Sequence, residues 1–283
     1  MASRTVSAAI SFFAVLLAAG GCGSAPPASR RPTRTAVAHP TTTPTRPRRR
    51  HTLAAVSPRL VEHGPRTRPW VALTFDADMT RAMLAALRAG RERSAYDPTI
   101  VAQLRDLRAP ATIFLTGLWT ATYPDVARSL ARDPLFELAN HTVDHSGFFG
   151  GCYGLPQVTT VAAKEAEIRD AAATIARVTG VRPHWFRFPG GCHSTADARL
   201  VAAAGEQPVQ WDDVSGDAYL RDPAAIVSQT LRQARPGSIV VMHLNGAPNA
   251  PATGGAIAAV VRGLRARGLR PVTLSRLLES PRP

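Results

Sequence analysis

Lysine and cysteine are nearly missing from this sequence, and acidic residues are missing from its N-terminal part. Only Lys164 among 34 basic residues is a lysine, a bias that says nothing about mechanism. The three cysteines, Cys22, Cys152 and Cys192, are too few for a disulfide-dense scaffold. The chain of 283 residues is 45% apolar, which supports an ordinary hydrophobic core in one or two domains. The apolar stretch AAISFFAVLLAA, Ala8–Ala19, is twelve residues long, too short to span a bilayer comfortably. No internal repeat is visible, which excludes a solenoid. Residues 23–58 hold seven arginines and no acid, whereas residues 71–283 hold 23 basic and 19 acidic side chains, a net of +4. The net charge of +14 therefore sits mostly in a tail. A nucleic-acid partner would require a basic patch on the folded face, so none is expected.

What is present at the N-terminus explains the tail. Arg4 precedes the apolar stretch, which ends in AAGGCGS. This layout resembles a bacterial lipoprotein signal, with residues 1–22 as the leader and Cys22 as the lipidated residue. An ordinary cleaved signal peptide with a chance cysteine is the alternative. Residues 23–66, rich in Pro, Thr and Arg, read as a disordered linker. The expected protein is exported and held to the membrane by a lipid anchor, facing outward, or is secreted. In an exported protein Cys152 and Cys192 can form a disulfide; two unrelated thiols are the alternative.

Residues 67–283 read as the folded domain. The runs VALTF, ATIFLTG, FELANH, WFRFP, PVQWD, SIVVMH and RPVTL read as strands. Helical stretches alternate with them: TIVAQLRDL, YPDVARSLA, AAKEAEIRDAAATIARVTG, TADARLVAAAG, DPAAIVSQTLRQA and GGAIAAVVRGLRARG. The alternation indicates an α/β fold with a mostly parallel sheet, as an open sheet or a small barrel. In either architecture an active site forms at the carboxyl ends of the strands. The conspicuous polar residues fall there: Asp76 and Asp78, His141 and His145, Arg187, then Asp212, Asp213 and Asp217, and His243.

His141 and His145, in NHTVDH, are spaced to share one cation, on a helical turn or in a tight loop. Two surface histidines would have the same spacing. Two histidines plus a carboxylate form a common hydrolytic zinc set that leaves a position open. The attacking water then needs a base, which one of Asp76 and Asp78 could supply while the other binds metal. The leaving group needs an acid, for which His243 is a candidate. Arg187 could hold the base ionised.

These residues carry a resemblance. TFDAD, HTVDH, RFPGG, WDDVSGD and VVMH resemble, in order, the five motifs of polysaccharide deacetylases of the NodB-homology type, carbohydrate esterase family 4. The resemblance covers about residues 68–279. It implies a deformed (β/α) barrel of about seven strands and metal-dependent removal of acetyl groups from N-acetylated sugars. It further implies that Asp76 is the base, that Arg187 orients it and that His141 and His145 bind one divalent cation, zinc first. His243 protonates the departing amine, Asp217 tunes His243, and the backbone N–H of Gly190 meets the oxyanion. The partner it implies is an acetylated glycan, peptidoglycan-like or chitin-like.

The first motif usually reads T-F-D-D-G, and its second Asp is Ala77 here. Asp78 is expected to take over the metal while Asp76 remains the base. A swapped assignment, or Asp78 as a mere cap on a helix starting near Met79, are the alternatives. Val214 and Ala218 also depart from the family pattern, so the polymer is not inherited from it. A non-catalytic sugar-binding protein and an O-acetyl esterase are the competing readings.

Overall fold

The computed structural model describes residues 56–279. The expected leader, Cys22 and the linker up to residue 55 lie outside the described residues. In chain order the strands are β1 (Trp70–Ala77), β2 (Ala111–Leu115), β3 (Phe136–Asn140), β4 (Trp185–Phe186), β5 (Gln207–Pro208), β6 (Asp213–Val214), β7 (Ile239–His243) and β8 (Arg270–Val272). They form one sheet in the order β5-β4-β3-β2-β1-β7-β6, with β8 paired to β1. Every pairing between these strands is parallel. The sheet curls into the deformed (β/α) barrel that the motifs imply.

Each of the seven expected strand runs overlaps a strand, PVQWD only at Pro208 of β5. The unexpected one is β6, whose two residues are too few to carry a periodic signal. The helices are α1 (Arg81–Arg88), α2 (Pro98–Asp106), α3 (Gly117–Thr122), α4 (Pro124–Arg132), α5 (Val161–Thr179), α6 (Thr195–Ala203), α7 (Pro223–Gln233), α8 (Thr253–Ala266) and α9 (Leu274–Leu277). The helix expected to start near Met79 is α1; the sequence reading misses α3 and α9, both short. Helix starts are encoded locally. Thr80, Asp97, Thr116, Thr160, Ser194, Asp222 and Thr273 each accept a hydrogen bond from a first-turn N–H.

Strand β1 runs through the middle of the sheet and is buried on both faces, as a central parallel strand must be. Its side chains alternate. Val71, Leu73, Phe75 and Ala77 enter the main core beneath the helices. Ala72 belongs to a second cluster, with Phe114, Ala139, Trp185 and Val209. Thr74 and Asp76 share the face of Ala72 by the two-residue period of a strand. Burying the large apolar side chains of these clusters stabilises the fold by about 1.5–3 kcal/mol each.

The folded part begins earlier than expected. Residues 57–66, assigned to it, are part of the folded domain. The Val61 N–H donates to Pro208 O (3.1 Å), and the Gln210 N–H donates to Val61 O (2.8 Å). His63 pairs with Ser238, and Gly64 N–H donates to Gly237 O at 2.8 Å. Arg66 reaches Asp212 at 2.6 Å. This segment ties the edge strand β5 to the start of β7. Its composition hides that role, because the contacts it satisfies come from residues far along the chain.

Candidate active site

The carboxyl ends of β1, β3, β4 and β7 bring most of the expected residues together. Asp76 and Asp78 are two residues apart and buried, at 4% and 6% exposure, while Ala77 between them is wholly buried in the main core. The Asp78 backbone is fixed by Asn245, whose side-chain oxygen accepts the Asp78 N–H (3.0 Å) and whose amide donates to Asp78 O (2.7 Å). Thr80, not Asp78, caps α1, so the capping alternative fails. Asp78 Oδ1 lies 3.4 Å from both His141 Nε2 and His145 Nε2.

His141 and His145 leave β3 in a tight loop, not on a helical turn. His145 has φ 62° and Thr142 has φ 69°, both in the left-handed region, which a β-branched residue such as Thr142 avoids. Neighbours hold this strained loop in place. Thr142 N–H donates to Asn140 Oδ1 (3.1 Å), and His145 N–H donates to Thr142 Oγ1 (3.1 Å). The Asn140 amide donates to both carboxyl oxygens of Glu206, at 3.1 and 2.9 Å. Burial pushes Glu206 up to about 8, against the opposing pull of Asn140. Glu167 accepts the Val143 and Asp144 N–H groups (2.7 and 3.3 Å).

The tautomer of His141 follows from its partner. Nδ1 sits 2.9 Å from the Arg187 carbonyl, which can only accept, so Nδ1 carries the proton and the Nε2 lone pair faces the site. Asp78 Oδ1 and His141 Nε2 are buried and lack a hydrogen-bond partner. Asp78, His141 and His145 place their donor atoms within 4.8 Å of one another. Two imidazoles, one carboxylate and two orphaned buried donor atoms fit a divalent cation. Burial pushes Asp78 up, but His145, His141 and His243 outweigh it and hold the carboxyl well below its usual range. Burial takes His145 down to about 4, which keeps it neutral and able to ligate.

Two further pairs flank the cluster. Arg187, fully buried, donates to Asp76 Oδ1 at 2.7 Å. Its guanidinium lies over Phe114 (4.0 Å) and Trp211 (5.3 Å). Asp76 Oδ2 is 3.6 Å from His141 Nε2. On the other side Asp217 holds His243 twice, through Nδ1 (2.9 Å) and the backbone N–H (2.7 Å). Thr253 Oγ1 donates to the same carboxylate at 2.7 Å. Burial pushes His243 down, yet Asp217, with Asp78 and Asp76, carries it up to about 10. Its Nε2 lies 3.8 Å from Asp78 Oδ2.

Gly190 lies in the turn Pro189–Gly191, just after Arg187, with φ 61°. Cys152 and Cys192 form a disulfide, with Cα atoms 5.9 Å apart, between the loops after the second and third motifs. Asp212 and Asp213 stay out of the site. Asp212 holds Arg66 and the Ile239 N–H, and Asp213 is buried in β6. Asn245, Thr253, Phe114 and Trp211 escaped the sequence reading. Trp211 opens WDDVSGD and Asn245 follows His243 by two, whereas Thr253 and Phe114 carry no local signal of this role.

A family profile described as Polysaccharide deacetylase matches residues 63–209. The chain belongs to the polysaccharide deacetylase family. A chitooligosaccharide deacetylase of Azorhizobium caulinodans is 30% identical over 186 residues, 60% of this chain and 82% of that protein. A solved peptidoglycan N-acetylglucosamine deacetylase superposes with a TM-score of 0.66 at 20% identity, covering 78% of this chain and 94% of that one. A Bacillus anthracis protein described as a carbohydrate esterase family 4 pseudoenzyme superposes with a TM-score of 0.64 at 19% identity, covering 78% of this chain and 69% of that one. These two structural likenesses speak for the fold alone. Among polysaccharide deacetylases, then, this member has carboxylates at Asp76, inside β1, and at Asp78, the residue just past its end.

Proposed function

We propose that this polysaccharide deacetylase is a metal-dependent hydrolase that removes acetyl groups from N-acetylated sugars of a cell-wall or surface polysaccharide. The observation that carries this reading is the Asp78–His141–His145 cluster, flanked on one side by Asp76–Arg187 and on the other by Asp217–His243. Zinc suits the donor set of two imidazoles and a carboxylate. When bound, such a cation supplies Lewis acidity to the acetyl carbonyl and to the attacking water.

The chain's own residues then divide the proton work. Asp76, with Oδ1 engaged by Arg187, turns Oδ2 toward the histidines and takes a proton from the water. The water oxygen adds to the acetyl carbon. The backbone N–H of Gly190 is the donor assigned to the resulting oxyanion. His243 carries a proton on Nε2, because Nδ1–H is committed to Asp217 and its proton affinity is raised. It passes that proton to the nitrogen as the C–N bond breaks, which releases acetate and a free amine.

Ala77 alone would favour a non-catalytic sugar-binding protein. Asp78 answers that objection by supplying the carboxylate beside both histidines. A binding protein has no use for a held base opposite a held acid. The N-terminal sequence supports an exported protein tethered through Cys22, which places it near wall glycans.

The test is acetate release from an N-acetylglucosamine oligomer and from an O-acetylated glycan, with and without a chelator. Release from the amide substrate that falls at least tenfold on chelation and returns with zinc supports the proposal. Release from the ester alone points to the esterase reading, and no release or chelator-insensitive release overturns the mechanism.

A further inference from the structure

We propose that Tyr153 is an aromatic platform for the sugar ring beside the acetylated one, and that the Cys152–Cys192 disulfide fixes it there; this rests on the deacetylase reading of the site. The chain between His145 and Val158 forms a loop. Its base is closed by Gly147 N–H to Pro156 O (2.7 Å) and Val158 N–H to Gly147 O (3.1 Å). Phe148 is buried and anchors the loop on Phe186 and Phe188, with ring centroids 6.0 and 5.5 Å away. The far end is tied to Cys192, two residues beyond Gly190. The loop is therefore fixed at both ends, one of them adjoining the ligand His145.

Within this pinned loop two aromatic side chains face solvent, Phe149 at 58% and Tyr153 at 85% exposure. Aromatic rings held open on a fixed loop offer apolar surface that a ligand can cover. Tyr153 also holds φ 48°, between Gly151 and Gly154, a left-handed conformation that a bulky residue adopts only when its surroundings impose it.

The position of the ring is set by Gly190. A Cβ at residue 190 would stand 2.6 Å from Cys152 Sγ and 3.1 Å from Tyr153 Cδ2. The Cys152 sulfur, with the edge of the tyrosine ring beside it, thus fills the space a side chain at residue 190 would take. Arg187, three residues earlier, grips Asp76. So the ring lies along the turn that borders the reacting centre, with most of its surface open.

The chemistry of the occupant follows. The loop FFGGCYGLPQ, residues 148–157, contains no charged side chain, which suits a neutral glycan and not an acidic polymer. A pyranose presents an apolar C–H face that covers an aromatic ring, while its hydroxyl rim can reach the Tyr hydroxyl. Because the loop is already ordered, binding loses little further conformational entropy there.

Steady-state acetate release from short and long N-acetylglucosamine oligomers tests this. Tyr153→Ala is expected to raise KM for long oligomers about tenfold, with kcat within about twofold and KM for the monosaccharide much less affected. Tyr153→Trp should restore the long-oligomer KM. Cys152→Ser with Cys192→Ser should reproduce the rise, and thermal unfolding identifies any variant that fails to fold. No KM change in folded Tyr153→Ala overturns the platform. A rise equal for short and long substrates, or a loss confined to kcat, also overturns it, because Tyr153 would then only shape the turn. If the wild type releases no acetate, the deacetylase reading falls by itself, and the platform is read from calorimetric Kd values for the same oligomers. A tenfold weakening in Tyr153→Ala supports it there, and an unchanged Kd sinks it.

Discussion

Replacing Asp217 by Asn tests the acid half of the proposed mechanism. His243 must be protonated when the amine leaves, so activity is present below its pKa and is lost as pH rises through it. Asp217 is the main partner raising that pKa against burial, with its Oδ1 at 2.9 Å from Nδ1. Taking the charges as about 4 Å apart, at an effective dielectric of about 20, the carboxylate contributes on the order of 4 kcal/mol, roughly 3 pH units. Asn keeps an oxygen that accepts from Nδ1, so part of the effect survives. The alkaline limb of kcat/KM should move down by about 2 units in Asp217→Asn. The assay is acetate release from one oligomer across the pH range, with bound metal and thermal unfolding measured alongside. A limb that stays where it is in the wild type, in a folded and metal-loaded variant, would refute the assignment of His243 as the acid.

The two first-motif carboxylates separate by readout: Asp78→Ala should lose most bound metal, whereas Asp76→Asn should keep metal and lose turnover, and the reverse pattern would establish the swapped roles. The affinity loss in Asp78→Ala should exceed the 10–100-fold typical of a lost outer-shell partner, as read by competition with a metal indicator. A chain starting at residue 67 should melt lower than one starting at residue 56, because it loses the bonds of Val61, Gly64 and Arg66; equal melting temperatures would mean the segment is an ornament. Cys22→Ser should move the protein from the membrane fraction to the soluble one, and unchanged membrane retention would end the tether idea.

Seven of the eight strands among the described residues, the longer helices and the kinds of side chain in the site were legible in the sequence. Apolar runs such as VALTF and IVVM can only be buried, and Thr80, Asp97 and Ser194 start helices through bonds spanning two or three residues. The proximity of Asp76 and Asp78 was legible too, with Asp76 at the end of the strand and Asp78 just past it, and Ala77 between them in the core. Short elements were not legible: β6 and α9 have too few residues for a period to appear. Tertiary structure alone decided which carboxylate meets which partner. Asp76 finds Arg187 across 111 residues, and Asp78 is set by Asn245 across 167. It also excluded Asp212 from the site by giving it Arg66, drew residues 57–66 out of the apparent linker, and joined Cys152 to Cys192. Local propensity acts over a few residues, whereas these choices depend on how distant strand ends and loops converge once the sheet has curled.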